Sequence, residues 1–385
     1  MGRKIKKKGK RYFDYSLLFV VIFICGFGLV MIYSTSSYTA QLTYGNSEYF
    51  FFKQLQADLL GFLAMYFMYR VFDYHYFQRR WAVAIFILSI ISILAIIPFG
   101  TEVNGAKRWI YLGTVSFQPS ELAKFATIVM TAVGICAIGN KINKLRYVFL
   151  VWLIIGGLLG VMVYAITSNL SSAIIIFGIS FVMTFVAYKG YKIYMVLIAA
   201  FTAAFAAFYT WLTNMVKSGN MTDSFRLNRF LIWLNPEKYM EDKGYQTVQA
   251  LYAIGSGGLF GKGLGKSLQK LGFIPESQND MIFSIICEEL GLFGAICVIL
   301  IFVLMLWRIV HIAQNAPDLL GTLIATGVFA QVAIQVILNI AVVTNTIPNT
   351  GVSLPFISYG GTSSVFLMAE IGVVLNISSQ IRLEK

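Results

Sequence analysis

Long apolar runs recur along the whole chain and are separated by short polar segments. Each run is about 20 residues long, the length that an α-helix needs to cross the hydrocarbon core of a bilayer. The pattern predicts an all-α polytopic membrane protein with about ten transmembrane helices. The predicted spans are Tyr15 to about Tyr33, Phe51 to Val71, Trp81 to Phe99, Pro119 to Ile138, Tyr147 to Ile166, Leu170 to Ala187, Ile193 to Met215, Met281 to Trp307, Leu319 to Val343 and Ser353 to Ile377.

The first predicted span follows a strongly basic segment. Met1 to Arg11 carries seven Lys and Arg residues. The apolar run after it is longer than the core of a signal peptide, and no clear small-residue cleavage site follows. We therefore expect an uncleaved span with its N-terminus in the cytoplasm. Residues 1–14 are the basic cytoplasmic N-terminus of this scheme, and residues 15–385 are a single membrane domain.

Threading ten spans from a cytoplasmic N-terminus places the C-terminus in the cytoplasm as well. The short cytoplasmic loops of this topology hold Arg79-Arg80, Lys141 to Arg146 and Lys189 to Lys192, as the positive-inside rule demands. The largest loop, Val216 to Asn279, then lies on the extracytoplasmic side between spans 7 and 8. Its length is near the limit beyond which loop charge ceases to set orientation, so its basic charge does not contradict the topology.

Composition narrows the function class. The chain is 58% hydrophobic and 12% charged, and its mean hydropathy of +0.74 exceeds that of a soluble domain. The net charge of +13 could suggest nucleic acid, but the basic residues cluster at predicted helix ends, where they orient spans and contact headgroups. No nucleic-acid partner is expected. The four cysteines fall inside apolar runs without metal-ligand spacing, so neither a disulfide nor a metal site is predicted.

Polar residues concentrate in one stretch, Gly244 to Gly294. Six glycines lie between Gly255 and Gly265, and three lysines, Glu276 and Asp280 accompany them. A phosphate loop is excluded because the Gly-Lys-Ser at 265–267 would need a glycine where Phe260 stands, and no G-x-G-x-x-G fits the segment. The glycines therefore do not indicate nucleotide binding.

Basic residues of the large extracytoplasmic loop need an anionic partner. Two kinds of partner remain open: anionic lipid headgroups, or a lipid whose pyrophosphate the cations would bind. The basic side chains of this loop include Arg226, Arg229, Lys266 and Lys270.

The short extracytoplasmic loop Gly100 to Gln118 holds Lys107 and Arg108 against the orientation rule. A local anionic partner would explain both, and the planar guanidinium can bind a phosphate bidentately. The alternative is an interfacial anchor formed with Trp109 and Tyr111.

The fourth span opens with an acid and a base on one helix face. Pro119 suits a first helical position, Glu121 falls in the first turn, and Lys124 follows three residues later. Such a pair is a common helix start, but an ammonium inside a span usually faces a cavity rather than lipid. Glu370 lies inside the tenth span, where a carboxyl group indicates either a functional site or a helix contact.

The start of the eighth span also has two interpretations. Ser277, Asn279 or Asp280 could each cap the helix. Glu288 and Glu289 lie two turns deeper, about 12 Å along the axis, which is too deep for a headgroup sugar. A carboxylate at the membrane face is the other interpretation of Asp280.

Four blocks of the chain together resemble the SEDS (shape, elongation, division and sporulation) membrane proteins, whose members FtsW and RodA polymerise lipid-linked peptidoglycan precursor. The blocks occur in the family's order and span most of the chain. The pairing of the Gly-Lys-Ser at 265–267 with the Gln-Lys at 269–270 is more similar to the FtsW branch. The blocks are NGAKRWIYLG at 104–113, FQPSELAK at 117–124, QALYAIGSGGLFGKGLGKSLQKLGFIPESQNDMIFSIICEELGLFGA at 249–295 and IPNTGVSLPFISYGGTSS at 347–364.

The resemblance implies a peptidoglycan glycosyltransferase that polymerises lipid II into glycan strands at the outer face of the bacterial cytoplasmic membrane, during division or growth. Asp280 matches the proposed catalytic aspartate, a general base for the attacking sugar hydroxyl. A class B penicillin-binding protein is the implied partner. The resemblance leaves open whether a divalent cation, Mg or Mn, is required. The implied substrate-binding residues are Lys107, Arg108, Glu121, Lys124, Arg226, Arg229, Gln246, Gln249, Lys266 and Lys270.

Two departures and two alternatives accompany the resemblance. The family usually has an acid followed by Leu-Gly-Thr where this chain has Asn169 to Ser172, and it does not lead us to expect Glu370. A lipid II flippase could use Glu288, Glu289 and Glu370 as relay groups. A non-catalytic scaffold of cell division is the third interpretation.

Overall fold

The apolar runs form helices throughout the computed structural model, which describes residues 12–77, 79–103, 106–113, 115–217, 225–240 and 244–382. The α-helices are α1 (Tyr15–Tyr44), α2 (Tyr49–Arg70), α3 (Arg79–Leu94), α4 (Ile96–Phe99), α5 (Pro119–Ile138), α6 (Leu145–Val151), α7 (Leu158–Thr167), α8 (Leu170–Ala187), α9 (Lys192–Lys217), α10 (Phe225–Leu234), α11 (Tyr245–Gly257), α12 (Ile282–Gln314), α13 (Leu319–Val343) and α14 (Gly361–Gln380). A π-helical turn, Trp152–Gly157, joins α6 to α7.

Nine helical segments within the described residues are long and apolar enough to cross a membrane. Together with the helical architecture they confirm the prediction of an all-α polytopic membrane protein. The remaining expected span is α2, whose 22 residues include Lys53, Gln54 and Asp58. These polar groups lower its apolarity, although its length still suffices for a span.

A small antiparallel sheet precedes α5, where the sequence pattern led us to expect only a loop. Its strands β1 (Thr101–Val103), β2 (Ala106–Leu112) and β3 (Val115–Phe117) run in the order β1-β2-β3. The Asn104-Gly105 pair is the sequence signal that could have predicted the first hairpin. Because β2 holds Lys107 and Arg108, their positions are set by the sheet.

The helices pack by close approach of small residues, as is usual in membrane proteins. Gly61 of α2 lies against Met368 of α14, and Gly372 of α14 lies against the backbone of Met65. The middle of α13 is also buried, against α5, α8 and α12. Most side chains of α9 are exposed, which suits a helix facing lipid.

One end of the bundle carries the candidate site and is called here the Asp280 end. It brings together the starts of α5, α8, α12 and α14 and the end of α13. Ion pairs close the opposite end: Arg308 Nη2 lies 2.6 Å from Asp14 Oδ2, and His75 Nε2 lies 2.8 Å from Asp318 Oδ2.

Candidate functional site

Asp280 lies in the turns that lead into α12, and its side chain is half-buried. The helix begins at Ile282, and Met281 is its N-cap without a side-chain hydrogen bond. The capping interpretation of Ser277, Asn279 and Asp280 is therefore wrong. The Asp280 carboxylate is not used to start the helix and is available for other chemistry.

The backbone around Asp280 is held by the segment that precedes α14. The Tyr359 amide donates to the carbonyl of Gln278 (2.9 Å), and Ser358 Oγ donates to the carbonyl of Asn279 (2.6 Å). The carbonyl of Asp280 itself accepts a hydrogen bond of 2.7 Å from Asn339 Nδ2 of α13. Three consecutive carbonyl groups are thus fixed from outside the segment.

Gly351 stands beside the carboxylate. Its φ of 69° lies in the left-handed region that favours glycine. A Cβ at this position would lie 3.8 Å from Asp280 Oδ2. The loop containing Gly351 therefore forms one wall of the space into which the carboxylate points.

Burial and, to a lesser extent, the nearby carboxylate of Glu276 raise the pKa of Asp280 to about 6. The backbone amides of Asp280 and Met281 partly offset the increase. At pH 7 a group with this pKa is still roughly nine-tenths ionised, and it is a stronger base than an ordinary aspartate. Such a pKa suits a general base that works near neutral pH.

Glu121 and Lys124 form a buried pair at the same end of the bundle. Lys124 Nζ lies 2.8 Å from Glu121 Oε2, and both side chains are almost fully buried. Ser363 Oγ of α14 donates to the same carboxylate oxygen over 3.3 Å. The pair faces the bundle interior rather than lipid, as the cost of a charge in a span requires.

Glu370 lies two turns below Ser363 on α14, within electrostatic reach of Lys124 and Glu121. Its carboxyl group lies beside the side-chain amide of Gln331, but the geometry of the two groups does not make a hydrogen bond. Glu370 therefore adds a buried acidic group beside the Glu121–Lys124 pair.

The expected substrate-binding cations occupy different environments. Lys107 and Lys266 are exposed. Arg108 donates from Nε to the carbonyl of Thr167 (3.4 Å) and from Nη2 to that of Ser168 (3.3 Å), so it is bound to the end of α7. The side chains of Arg226 and Arg229, whose backbone belongs to α10, lie outside the described part of the chain.

Lys270 has a different partner from the one expected. Its Nζ lies 2.8 Å from Glu289 Oε1 and 3.0 Å from Ser34 Oγ, and the side chain is buried. Lys262 Nζ similarly lies 2.7 Å from Glu288 Oε1. In this structure the Lys270 ammonium neutralises a buried carboxylate, and its role as a substrate contact stays a prediction. The glutamates are likewise bound by the loop instead of standing free as relay groups.

The glycine-rich segment docks into a break in α12. Gly291 has φ 68° and ψ −170° and interrupts the helix. The Lys262 and Gly263 amides donate to the carbonyls of Glu288 and Glu289, both over 2.9 Å. On the other side of the break, the amides of residues 292 and 293 donate to the carbonyls of residues 258 and 259. A Cβ at Gly261 would clash with the carbonyl of Glu289, so close backbone approach explains a glycine there.

The remaining residues that were expected to bind substrate lie in the segments around the site. Gln246 Nε2 donates to the carbonyl of Pro275 (3.3 Å), and Asn349 Nδ2 donates to Gln246 Oε1 (3.2 Å). Gln249, one turn along α11, is partly exposed. Asn169, which replaces the family's usual acid, accepts from the Ser172 amide and caps α8.

Asn339 and Ser358 are the residues that sequence reasoning missed. Asn339 belongs to a row of buried amides on α13, spaced four residues apart with Gln331 and Gln335. Amide side chains on one face of an apolar span are a signal of interior polar contacts, and this spacing could have identified the row.

Comparisons with known proteins all identify the same family. The family model described as "Cell cycle protein", for FtsW, RodA and SpoVE, matches residues 15–383. Stage V sporulation protein E of Bacillus subtilis (strain 168) is 35% identical over 373 residues, covering 95% of this chain and 96% of that protein. The "Probable peptidoglycan glycosyltransferase FtsW" of the same strain is 34% identical over 381 residues, covering 97% and 92%. A solved chain from work on polymerization and crosslinking by a peptidoglycan synthase complex superposes with a TM-score of 0.74 at 25% identity, covering 96% and 98%.

Proposed function

Because the chain belongs to the family of FtsW, RodA and SpoVE, we propose that it is a peptidoglycan glycosyltransferase that polymerises lipid II. Like its family, it is an integral protein of the bacterial cytoplasmic membrane. Membership confirms the resemblance read from the four sequence blocks. The observation that carries the proposed chemistry is the Asp280 carboxylate, half-buried, not used as a helix cap, and with its pKa raised to about 6.

Asp280 acts as the general base in this proposal. A hydroxyl of the acceptor sugar attacks the anomeric carbon of the donor, and its proton passes to the Asp280 carboxylate. The new glycosidic bond forms as the anomeric carbon–oxygen bond breaks and lipid pyrophosphate leaves. Because pyrophosphate leaves as a stable anion, it needs neutralising charge rather than a proton, and one carboxylate suffices.

Basic side chains at the Asp280 end supply that charge. Lys107 and Lys266 are exposed, and in this proposal their ammonium groups contact the pyrophosphate. Arg108 can contribute by exchanging its carbonyl partners at the end of α7 for phosphate oxygens, since charge-assisted hydrogen bonds are the stronger kind. Lys124 is bound to Glu121 in this structure, so we place the pair at the inner wall of the site as positioning groups. Arg226 and Arg229 remain proposed phosphate contacts, and Gln246 and Gln249 remain proposed contacts to substrate amides or hydroxyls.

A divalent cation remains a proposal. The described residues contain no group of three or more His, Cys, Asp or Glu side chains that could hold a metal ion. A site made by protein ligands alone therefore does not fit this part of the chain. A Mg²⁺ or Mn²⁺ ion would instead be bound mainly by the substrate pyrophosphate.

The partner and the orientation complete the proposal. We propose a class B penicillin-binding protein as partner, and likeness to a chain studied in a peptidoglycan synthase complex supports an assembly of this kind. The similarity to FtsW supports a role in cell division, and the similarity to stage V sporulation protein E equally supports a role in sporulation. The Asp280 end would face outward, where the sugars of lipid II are polymerised.

Purified protein with its partner and lipid II in detergent tests the function. The parent protein should form glycan chains, and Asp280→Asn should slow polymerisation by about a hundredfold to ten-thousandfold, as loss of a general base predicts. Folding and partner binding should persist, because the carboxylate does not cap α12. Full activity of a folded Asp280→Asn protein would refute the mechanism, and absence of polymer from the parent complex would refute the activity.

A further inference from the structure

The side chain of Asn339 joins the two segments that form the Asp280 site. Its Nδ2 donates to the carbonyl of Asp280 over 2.7 Å and to the carbonyl of Val352 over 2.8 Å. Val352 directly follows Gly351, the residue beside the carboxylate. The side-chain amide of Asn339 therefore fixes the backbone of Asp280 relative to the loop that contains Gly351.

The backbone of Asp280 needs this hydrogen bond because Asp280 does not belong to a helix or strand that would hold it in place. Residues 275–281 form turns, and the first residue of α12 comes after them. The direction of a short side chain such as Asp follows its own backbone, so the carbonyl of Asp280 is the nearest place at which the carboxylate can be oriented. The contacts of Ser358 and Tyr359 act on the two preceding residues and leave this carbonyl to Asn339.

The chemistry of the position favours asparagine. Two carbonyl oxygens face the group, and a primary amide nitrogen carries two N–H donors. An aspartate of the same shape would present oxygen to oxygen, and alanine would leave both buried carbonyls without this donor. Asn339 is fully buried, so water does not readily replace it.

We propose that Asn339 is a positioning residue for Asp280: it holds the general base against the loop of Gly351, and without it the base stands out of line with the attacking hydroxyl. This inference rests on the proposed role of Asp280. A misplacement of about 1 Å at a reacting group can lower the rate on the order of a hundredfold. The effect falls on kcat rather than on KM, because Asn339 does not touch the lipid or its phosphates in this proposal.

A double-mutant cycle on the complex with its partner tests the inference. Asn339→Ala should lower kcat for lipid II polymerisation about 10- to 100-fold and leave KM within about twofold. In the Asp280→Asn background the same substitution should change the rate less than about twofold, because a residue that acts through the base has no further effect once the base is gone. Gln335→Ala is the matched control: Gln335 is a buried amide one turn away on α13 without a hydrogen bond to described residues 278–280, and its loss should spare kcat.

Three results would overturn the inference: unchanged kcat in Asn339→Ala, an equal loss in both backgrounds, or an equal loss in Gln335→Ala. If Asn339→Ala fails to fold, Asn339→Ser, which retains one donor in a smaller side chain, is taken through the same cycle with the same criteria. The failures of the two proposals are distinguishable. A fully active Asp280→Asn protein refutes the base, whereas a strongly slowed Asp280→Asn protein that loses the same further factor on Asn339→Ala refutes only the positioning role.

Discussion

Lys124 Nζ and Glu121 Oε2 are 2.8 Å apart in a part of the bundle that excludes solvent from both side chains. The pair spans one turn of α5 and also contacts Ser363 of α14. Because neither charge is solvated, each depends on the other.

Removing one member of the pair should cost more than removing both. Lys124→Met leaves a buried carboxylate without its cation and should lower the free energy of unfolding by about 3–5 kcal/mol. The double substitution Glu121→Gln with Lys124→Met should recover most of this stability but not the polymerase activity. Thermal unfolding in detergent and glycan synthesis measure the two quantities. Recovery of activity in the double variant would show that the pair is only structural.

The raised pKa of Asp280 predicts opposite pH effects on rate and stability. The rate should fall as pH drops through about 6, because the base becomes protonated. Burial disfavours the charged form of the carboxylate, so the native state binds its proton more tightly than the unfolded state does. Its ionisation therefore costs stability as pH rises from the ordinary value near 4 to about 6, and this cost persists above pH 6.

Asp280→Asn removes that cost and provides the measurement. The variant should be more stable than the parent protein at pH 7.5, and the difference should shrink below about pH 4, where the parent carboxyl is protonated in both states. Unfolding curves at several pH values test this directly. A variant that is less stable at every pH would show that the carboxylate makes a structural contact.

Substitutions of Lys266 and Lys270 should distinguish an effect on lipid II binding from an effect on stability. Lys266 is exposed, and Lys270 is buried against Glu289. Lys270→Met should lower the unfolding free energy by about 3–5 kcal/mol, whereas Lys266→Met should leave it nearly unchanged. Lys266→Met should instead raise KM for lipid II if its ammonium meets the pyrophosphate. A raised KM with full stability in Lys270→Met would instead show that Lys270 acts as a substrate contact.

Alanine substitutions at two glycines of the docked segment should distinguish the cost of a left-handed backbone from the cost of a steric clash. Gly261 and Gly265 both have positive φ, 76° and 79°. A Cβ at Gly261 would collide with the carbonyl of Glu289, and one at Gly265 would meet nothing within 4 Å. Gly265→Ala should cost roughly 1–2 kcal/mol from its left-handed conformation. Gly261→Ala should cost clearly more and loosen the break in α12, as measured by thermal unfolding; equal losses would mean that the segment does not dock there.

The apolar pattern by itself predicted most of the helical spans and their approximate bounds, because a bilayer imposes length and apolarity on every crossing segment. Sequence also located Asp280 at the start of a span and Glu121 and Lys124 one turn apart, since both are local relationships along the chain. The four blocks identified the family, which the comparisons confirmed.

Only the tertiary structure decided how distant segments meet. It paired Lys270 with Glu289, 19 residues away, and it placed the glycine-rich loop in the break of α12. It also brought Asn339 to the carbonyl of Asp280 across 59 positions of the chain. Sequence periodicity reports which side of a helix is polar, but the partner of a buried polar group is chosen by helix packing, and packing is fixed only when all the spans are assembled.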